Sequence, residues 1–273
     1  MSIGPDGTYA VAEDLASMLD IERLDRDLFR GVHGVDAAER KSLFGGQVCA
    51  QALRAAAFTV PGDRHPHSLH GYFLRPGRAE RPVILQVDRD RDGRSFSARH
   101  VAAVQDGEVI FSMLASFHVE EPGGRLDALP IADPMPDVAS SHTGTDSPVL
   151  MLDLRDVPAT GEPPGPFPPD RLWVRVAHPI PAGDPLLATC ALAYISDLGS
   201  GFRRLALPGI PGGGPSIDHA VWFHERVSLD DWLLLELRPA KAGGGRGVYF
   251  GSLRDRAGRL GAMITQEMLL RAP

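Results

Sequence analysis

Cysteine is scarce in this chain, and the scarcity limits both its chemistry and its surroundings. Only Cys49 and Cys190 occur among 273 residues. Two cysteines so far apart provide neither a disulfide framework nor a four-cysteine metal site. Disulfides persist in oxidising compartments. The sequence therefore predicts a protein of a reducing compartment, cytoplasmic, with no metal and no other cofactor.

Positive charge and long apolar runs are also lacking. The chain has 28 Lys+Arg against 35 Asp+Glu, a formal net charge of −7, and no basic run that could neutralise nucleic-acid phosphates. The first residues lack the basic and apolar segments of a signal peptide, and no apolar run approaches the ~20 residues of a membrane span. The final residues Leu-Arg-Ala-Pro are not a peroxisomal address. We expect a soluble protein with neither nucleic-acid nor membrane partners.

Common hydrolase and nucleotide-binding motifs are missing as well. The chain contains no G-x-S-x-G nucleophile elbow and no GxxxxGK[ST] phosphate loop. Glycine triplets at 212–214 and 243–245 lack the spacing of phosphate loops and predict turns. His65, His67 and His70 have no acidic or cysteine partner at metal-ligand spacing. We interpret His65 and His67 as a histidine pair in an exposed loop.

Two sets of four β-rich segments make up most of the chain. Asp106-Gly107 stands between two such segments and predicts a hairpin. Helices are predicted at 15–30, at 47–60 and at 183–200, the last continuing towards Pro211. The predicted strands are 68–74, 82–89, 95–105 and 109–118 in the first set, and 216–224, 232–237, 246–254 and 260–270 in the second.

The two sets follow each other at an offset of about 150 residues, which predicts a duplication. On this offset Phe44–Gln47 aligns with Tyr194–Asp197, Pro61 with Pro211, and Gly107 with Gly258. Each unit then has one apolar helix covered by a curved antiparallel sheet. The predicted class is α+β, with a generic two-domain α+β protein as the alternative. We predict repeats at 15–119 and 171–273, joined by a Pro/Gly-rich linker at 120–170 with little regular structure.

Three polar residues of the second repeat each allow two interpretations. Asp197, predicted near a helix start, either caps the helix or is a desolvated carboxylate that activates water. Ser216 opens a predicted strand and is either a solvated strand end or a functional hydroxyl. Gln266 lies in a mostly apolar strand, where its amide either faces solvent or is buried and hydrogen-bonded.

Longer stretches resemble the type II acyl-CoA thioesterases. The likeness covers about Asp27 to Arg271 with its motifs in the same order. It is carried by Leu43–Val48 (LFGGQV), His67–Gly77 (HSLHGYFLRPG), Arg91–Arg99 (RDGRSFSAR), and Ser216–His219 followed by Trp222–His224.

The resemblance implies a double hotdog fold that hydrolyses fatty acyl-CoA to free acid and CoA. It places the family's catalytic Asp at Asp197, its Thr or Ser at Ser216 and its Gln at Gln266. Gln47 and Ala115 are at the corresponding places of the first repeat, which is therefore expected to shape the pocket without catalysing. A further set of arginines could contact CoA phosphates or remain solvated on the surface, namely Arg75, Arg94 and Arg99.

The expected mechanism is direct attack by a positioned water. Asp197 would act as its base or anchor, with Ser216 and Gln266 holding it, and backbone N–H groups, expected at a helix start, would stabilise the oxyanion. Two alternatives remain, a non-catalytic acyl-CoA sensor and a hotdog enoyl-CoA hydratase, whose loop Gly62–Ser68 matches superficially. Hotdog proteins usually associate, so a homo-oligomer is expected.

Overall fold

The protein consists of two compact units. The computed structural model describes residues 11–34, 42–129, 135–143, 151–158, 169–181, 183–205, 209 and 212–271. Unit 1 comprises Met1–Glu121 with His178–Ile195, and unit 2 comprises Pro122–Ala177 with Ser196–Pro273. A helix followed by four long strands occurs twice along the chain, as the predicted duplication requires.

Three helices and fifteen strands make up the described part of the chain. In chain order they are β1 Val11–Ala12, α1 Leu15–Leu19, β2 Glu22–Asp25, β3 Leu28–Gly31, β4 His33–Gly34, α2 Gly45–Ala57, β5 Arg64–Phe73, β6 Val83–Asp92, β7 Phe96–Gln105, β8 Glu108–Val119, β9 His142–Thr143, β10 Leu152–Asp156, β11 Asp170–Val176, α3 Pro185–Ser196, β12 Asp218–Phe223, β13 Leu233–Gly243, β14 Arg246–Asp255 and β15 Leu260–Leu269.

Unit 1 is an antiparallel sheet packed over helix α2. The strand order is β2-β3-β6-β7-β8-β5, and α2 contacts β5, β6, β7 and β8. Residues Gly46–Ala56 of α2 are buried almost without interruption. Alanine is a strong helix former and its short side chain lets strands approach from several sides. The expected sheet around a central helix is therefore present in this unit.

Helix α3 begins as its sequence predicts but ends early. Pro185 occupies the first helical position, and the Leu187 N–H donates to the Asp184 carboxylate at 2.9 Å, an N-cap bond. The prediction that this helix reaches residue 200 is wrong, because α3 stops at Ser196. Gly199 has φ +72°, a left-handed conformation that helices do not continue through. Pro211 lies outside the described residues.

Unit 2 is a second antiparallel sheet, with strand order β12-β15-β14-β13-β11-β10-β9. Its core includes a cluster around Trp173 and Trp232. The prediction that 120–170 has little regular structure is corrected by β9 and by β10, which pairs with β11 over five positions. The Pro-rich residues 161–168 lie outside the described residues.

The remaining differences from the predicted elements are local. All eight long strands occur where they were predicted, and Asp106 and Gly107 form the β7–β8 turn with φ of 51° and 81°. The helix predicted at 15–30 is wrong beyond Leu19, since β2 and β3 follow it. In β3, burial alternates residue by residue, the period of a strand.

Candidate active site

Asp197 is the first residue after α3 and the second residue of the unit 2 segment that begins at Ser196. Its exposed fraction is 9%. The prediction that it lies near a helix start is wrong, and so is its interpretation as an N-terminal cap. The C-terminal end of a helix carries partial negative charge. The helix dipole therefore does not stabilise this carboxylate, which is consistent with a role other than helix stabilisation.

A buried pair fixes the backbone beside Asp197. The hydroxyl of Ser196 lies 2.7 Å from Nε2 of His219 on β12, and both side chains are fully buried. This contact ties the end of α3 to the unit 2 sheet at the residue before Asp197. Sequence reasoning quoted His219 only as part of a motif and gave it no role.

Ser216 is held against β15 just before β12 begins. The Ile217 N–H donates to the Glu267 carbonyl at 2.8 Å, and the Leu269 N–H donates to the Pro215 carbonyl at 2.9 Å. Ser216 therefore lies in a backbone ladder rather than at a free strand end, and its side chain is half-buried.

Gln266 points inward from β15. Its exposed fraction is 1%, and it shares the buried face of the strand with Ile264 and Met268. The interpretation as a solvent-facing residue is therefore wrong. A buried amide that lacks hydrogen-bond partners lowers the stability of the folded protein.

The three predicted site residues meet in one hydrogen-bonded chain. Nε2 of Gln266 donates to Oγ of Ser216 at 2.6 Å, and Oγ of Ser216 donates to Oδ1 of Asp197 at 3.3 Å. The direction is determined by the carboxylate, because an ionised carboxyl group only accepts. Ser216 must then accept from Gln266, which turns the amide oxygen away from the hydroxyl.

The amide oxygen of Gln266 consequently has no hydrogen-bond partner among the described residues, although it is buried. Leaving a buried acceptor without a donor costs about 1–3 kcal/mol. The three residues thus present a carboxylate, an oriented hydroxyl and an available acceptor within one small region. Such a group can accept the protons of a water molecule and hold its oxygen in a fixed position.

The loop that follows Asp197 is anchored to the unit 2 sheet by two arginines. Nε of Arg203 donates to Asp170 at 2.7 Å and Nε of Arg204 donates to the same carboxylate at 3.0 Å. Asp170 is 1% exposed, and its hydrogen bond is the main reason that the pKa of Arg203 is raised. These contacts fix the loop at its far end. Sequence reasoning missed them, because nothing in the local pattern pairs residues that far apart.

The matching places in unit 1 do not form a comparable group. Gln47 is the third residue of α2, whereas Asp197 follows the last residue of α3, so the two are not at equivalent positions of their helices. Nε2 of Gln47 donates to the Val32 carbonyl at 3.0 Å. Ala115, fully buried on β8, has no polar side chain. In unit 1 these matching places therefore have neither a carboxylate at the Asp197 position nor an amide at the Gln266 position.

The arginines considered for CoA phosphates differ in their environment. Arg75 and Arg94 are exposed, and Arg75 pairs with Glu108 at 2.8 Å. Arg99 is fully buried, with its guanidinium bonded to Thr59 and Asp92. Neither prediction for Arg99, phosphate contact or solvated surface, holds.

The histidines predicted in a loop lie in strand β5 instead. Nε2 of His67 is 2.8 Å from the Ser116 hydroxyl, and burial, followed by the charge of His118, lowers the pKa of His67.

Among the residues that the structure describes, no three His, Cys, Asp or Glu side chains converge as metal ligands would. No helix within those residues has the length and apolar character needed to cross a membrane.

Comparison with protein families and known structures identifies the family of the chain. Residues 36–118 match the family model of the acyl-CoA thioesterase N-terminal domain, and residues 127–270 match that of the C-terminal domain. Human acyl-coenzyme A thioesterase 8 is 36% identical over 94% of this chain and 88% of its own length. The chain therefore belongs to the acyl-CoA thioesterase family, and it is a thioester hydrolase.

Solved structures support the same fold. The acyl-CoA thioesterase II TesB2 of Mycobacterium marinum superposes with a TM-score of 0.80 at 38% identity, covering 95% of this chain and 98% of that one. A protein of Alicyclobacillus acidocaldarius described as having a hot dog fold has a TM-score of 0.74 at 19% identity over 95% of this chain and 98% of its own. The α+β double hotdog prediction is confirmed.

Proposed function

We propose that this protein hydrolyses fatty acyl-CoA to free fatty acid and CoA by direct attack of a water held by Asp197, Ser216 and Gln266. The observation that carries the proposal is the directed chain from Gln266 through Ser216 to Asp197. It leaves a carboxylate and a buried amide oxygen as acceptors for the two protons of one water molecule.

The proposed reaction needs no covalent intermediate. The water oxygen attacks the thioester carbonyl carbon while Asp197 takes one of its protons. The tetrahedral intermediate then breaks its C–S bond, CoA leaves as a thiolate that takes up a proton, and the acyl group leaves as the free acid. Holding the water in attack geometry makes the step effectively unimolecular, which lowers its entropic barrier.

Ser216 has the role of an organiser in this proposal. Its hydroxyl proton is committed to Asp197 and one lone pair is committed to Gln266. Because the hydroxyl donates one hydrogen bond and accepts the other, it fixes the carboxylate and the amide relative to each other. A threonine there would keep the same two bonds, which agrees with the expectation that either hydroxyl serves.

The test is release of free CoA thiol from a panel of acyl-CoAs of different chain length. Wild type is compared with Asp197→Asn, which keeps the shape and removes the base, and with Asp230→Asn as a control at an exposed carboxylate. We expect Asp197→Asn to lose about 10³-fold in kcat, within the range that general-base catalysis supplies, and Asp230→Asn to match wild type.

Three results would contradict the proposal. Full turnover by folded Asp197→Asn would remove Asp197 from the mechanism. Tight binding of acyl-CoA by wild type without turnover at any chain length would support the sensor, and water addition to an enoyl-CoA would support the hydratase.

A further inference from the structure

Tyr249 lies beside the proposed site, on the strand next to Gln266. The register of β14 and β15 places Tyr249 directly opposite Gln266. Directly opposed residues of antiparallel strands have Cβ atoms about 4.5–5.5 Å apart on the same face. Tyr249 is 0% exposed, so both side chains point into the buried side of the unit 2 sheet.

The ring of Tyr249 is held in place by the loop that follows Asp197. A Cβ atom on Gly201 would lie 2.4 Å from Cβ of Tyr249, so the loop backbone rests directly on the tyrosine. Phe202 meets the ring edge-on, with centroids 6.2 Å apart. These contacts immobilise the ring, and with it the position of the phenolic oxygen.

The phenolic oxygen has no hydrogen-bond partner among the described residues. A phenylalanine would fill nearly the same space without the cost of burying an unpaired hydroxyl. Gln266, directly opposite, also has an unpaired buried atom, its amide oxygen. The two opposed residues thus each have an unpaired buried atom, one able to donate and the other able only to accept. Such a pair indicates a ligand that has both an acceptor and a donor.

Tyr249 is a donor over the whole neutral range. Burial raises the pKa of its phenol well above the ordinary value, and the carboxylates of Asp197 and Asp170 raise it further. The phenol therefore keeps its proton beside the carboxylate that the mechanism uses as a base. A neutral donor fixed in a buried site is the arrangement that stabilises a developing oxyanion.

We propose that Tyr249 is a catalytic residue, whose O–H donates a hydrogen bond to the carbonyl oxygen of the thioester as that oxygen becomes negative. The donor and acceptor then match the reacting pair: Gln266 accepts from the attacking water, and Tyr249 donates to the carbonyl. The phenol keeps its proton throughout, so the reaction balance is unchanged. This inference rests on the proposed function and adds an electrophilic contact to it.

The first repeat argues against a purely structural origin for this tyrosine. Arg99 on β7 is opposite Ala115 as Tyr249 on β14 is opposite Gln266. The guanidinium of Arg99 is bonded through all three nitrogens. A fully paired side chain at the matching place shows that the fold does not require an unpaired one.

The test compares Tyr249→Phe with wild type, with Tyr72→Phe at an exposed position of β5 as a matched control. We expect a loss of about 10²-fold in kcat, the usual effect of removing one oxyanion donor, with KM little changed. The melting temperature should stay the same or rise, because an unpaired hydroxyl has been removed. Tyr72→Phe should match wild type.

A second measurement separates chemistry from pocket shape. An acyl-CoA thioether analogue lacks the carbonyl oxygen, so its Kd should be equal for wild type and Tyr249→Phe. A kcat within about twofold of wild type, a lower melting temperature or a weaker Kd for the thioether would each overturn the inference. Absence of turnover by wild type would instead count against the proposed function, which keeps the two failures distinct.

Discussion

The third and fourth long strands of the two repeats hold different pairs of side chains at matching positions. In unit 1 the pair is Arg99 and Ala115, with every nitrogen of the arginine hydrogen-bonded. In unit 2 the pair is Tyr249 and Gln266, and each has a buried polar atom that finds no partner in the described part of the chain. The unit 1 pair stabilises its own repeat, whereas our proposals assign the unpaired atoms of the unit 2 pair to the attacking water and to the substrate carbonyl. An unpaired buried group lowers stability, and proteins can give up stability at a site that serves activity.

The largest effect on stability is expected at Arg99. Arg99→Ala removes a buried guanidinium from Thr59 and Asp92 and leaves a cavity. We expect a loss of about 3–5 kcal/mol in the free energy of unfolding, as for other broken buried pairs and large core truncations. Urea denaturation measures it, and kcat of the remaining folded protein should stay close to wild type. If Arg99→Ala lost no more unfolding free energy than Tyr249→Phe, the two positions would not differ in their contribution to stability.

A smaller effect is expected at Gly201, where the loop rests on Tyr249. Gly201→Ala places a methyl group 2.4 Å from Cβ of a tyrosine that is fixed in a strand. Overpacking of this kind costs about 1–3 kcal/mol, and kcat should fall because the loop and the phenol move apart. Gly213→Ala is the control, since a Cβ at Gly213 meets nothing within 4 Å. Equal stability and kcat for both variants would contradict the packing described above.

The smallest expected effect is on alkaline stability. In the folded protein the pKa of Tyr249 is raised well above the ordinary phenol value of 10.0, mainly by burial and then by the charges of Asp197 and Asp170. The unfolded chain therefore releases the phenolic proton first as the pH rises, and stability falls above about pH 10. Melting temperatures between pH 9 and 11 should fall more steeply for wild type than for Tyr249→Phe. Cys190, whose pKa burial raises to about 12, contributes equally to both proteins, so parallel curves would count against the prediction.

Local patterns predicted the strands and their turns well. Alternating burial and Asp-Gly pairs are properties of neighbouring residues, which is why β7 and β8 begin and end within one residue of the predicted bounds. The duplication also followed from sequence, because spacing is preserved between strands. The position of Asp197 at the end of α3 did not, since the apolar run continues into Leu198 although the helix stops at Ser196.

Long-range pairing was the part that sequence could not predict. Family resemblance pointed to Asp197, Ser216 and Gln266, but the direction of their hydrogen bonds depends on how the loop and β15 meet. Tyr249 gave no signal, because an unpaired hydroxyl is a property of the packed structure. The homo-oligomer and the cytoplasmic location stay predictions.

The central claim is that one hydrolytic site in unit 2 works as a connected chain from Gln266 through Ser216 to Asp197. A double-mutant cycle on kcat with Asp197→Asn and Gln266→Met tests it most directly, because the two side chains are linked only through Ser216 in that chain. Residues that act as a unit show non-additive losses. We predict that the double variant loses no more than Asp197→Asn alone, about 10³-fold. Losses that multiply would show two independent contributions and contradict the connected site.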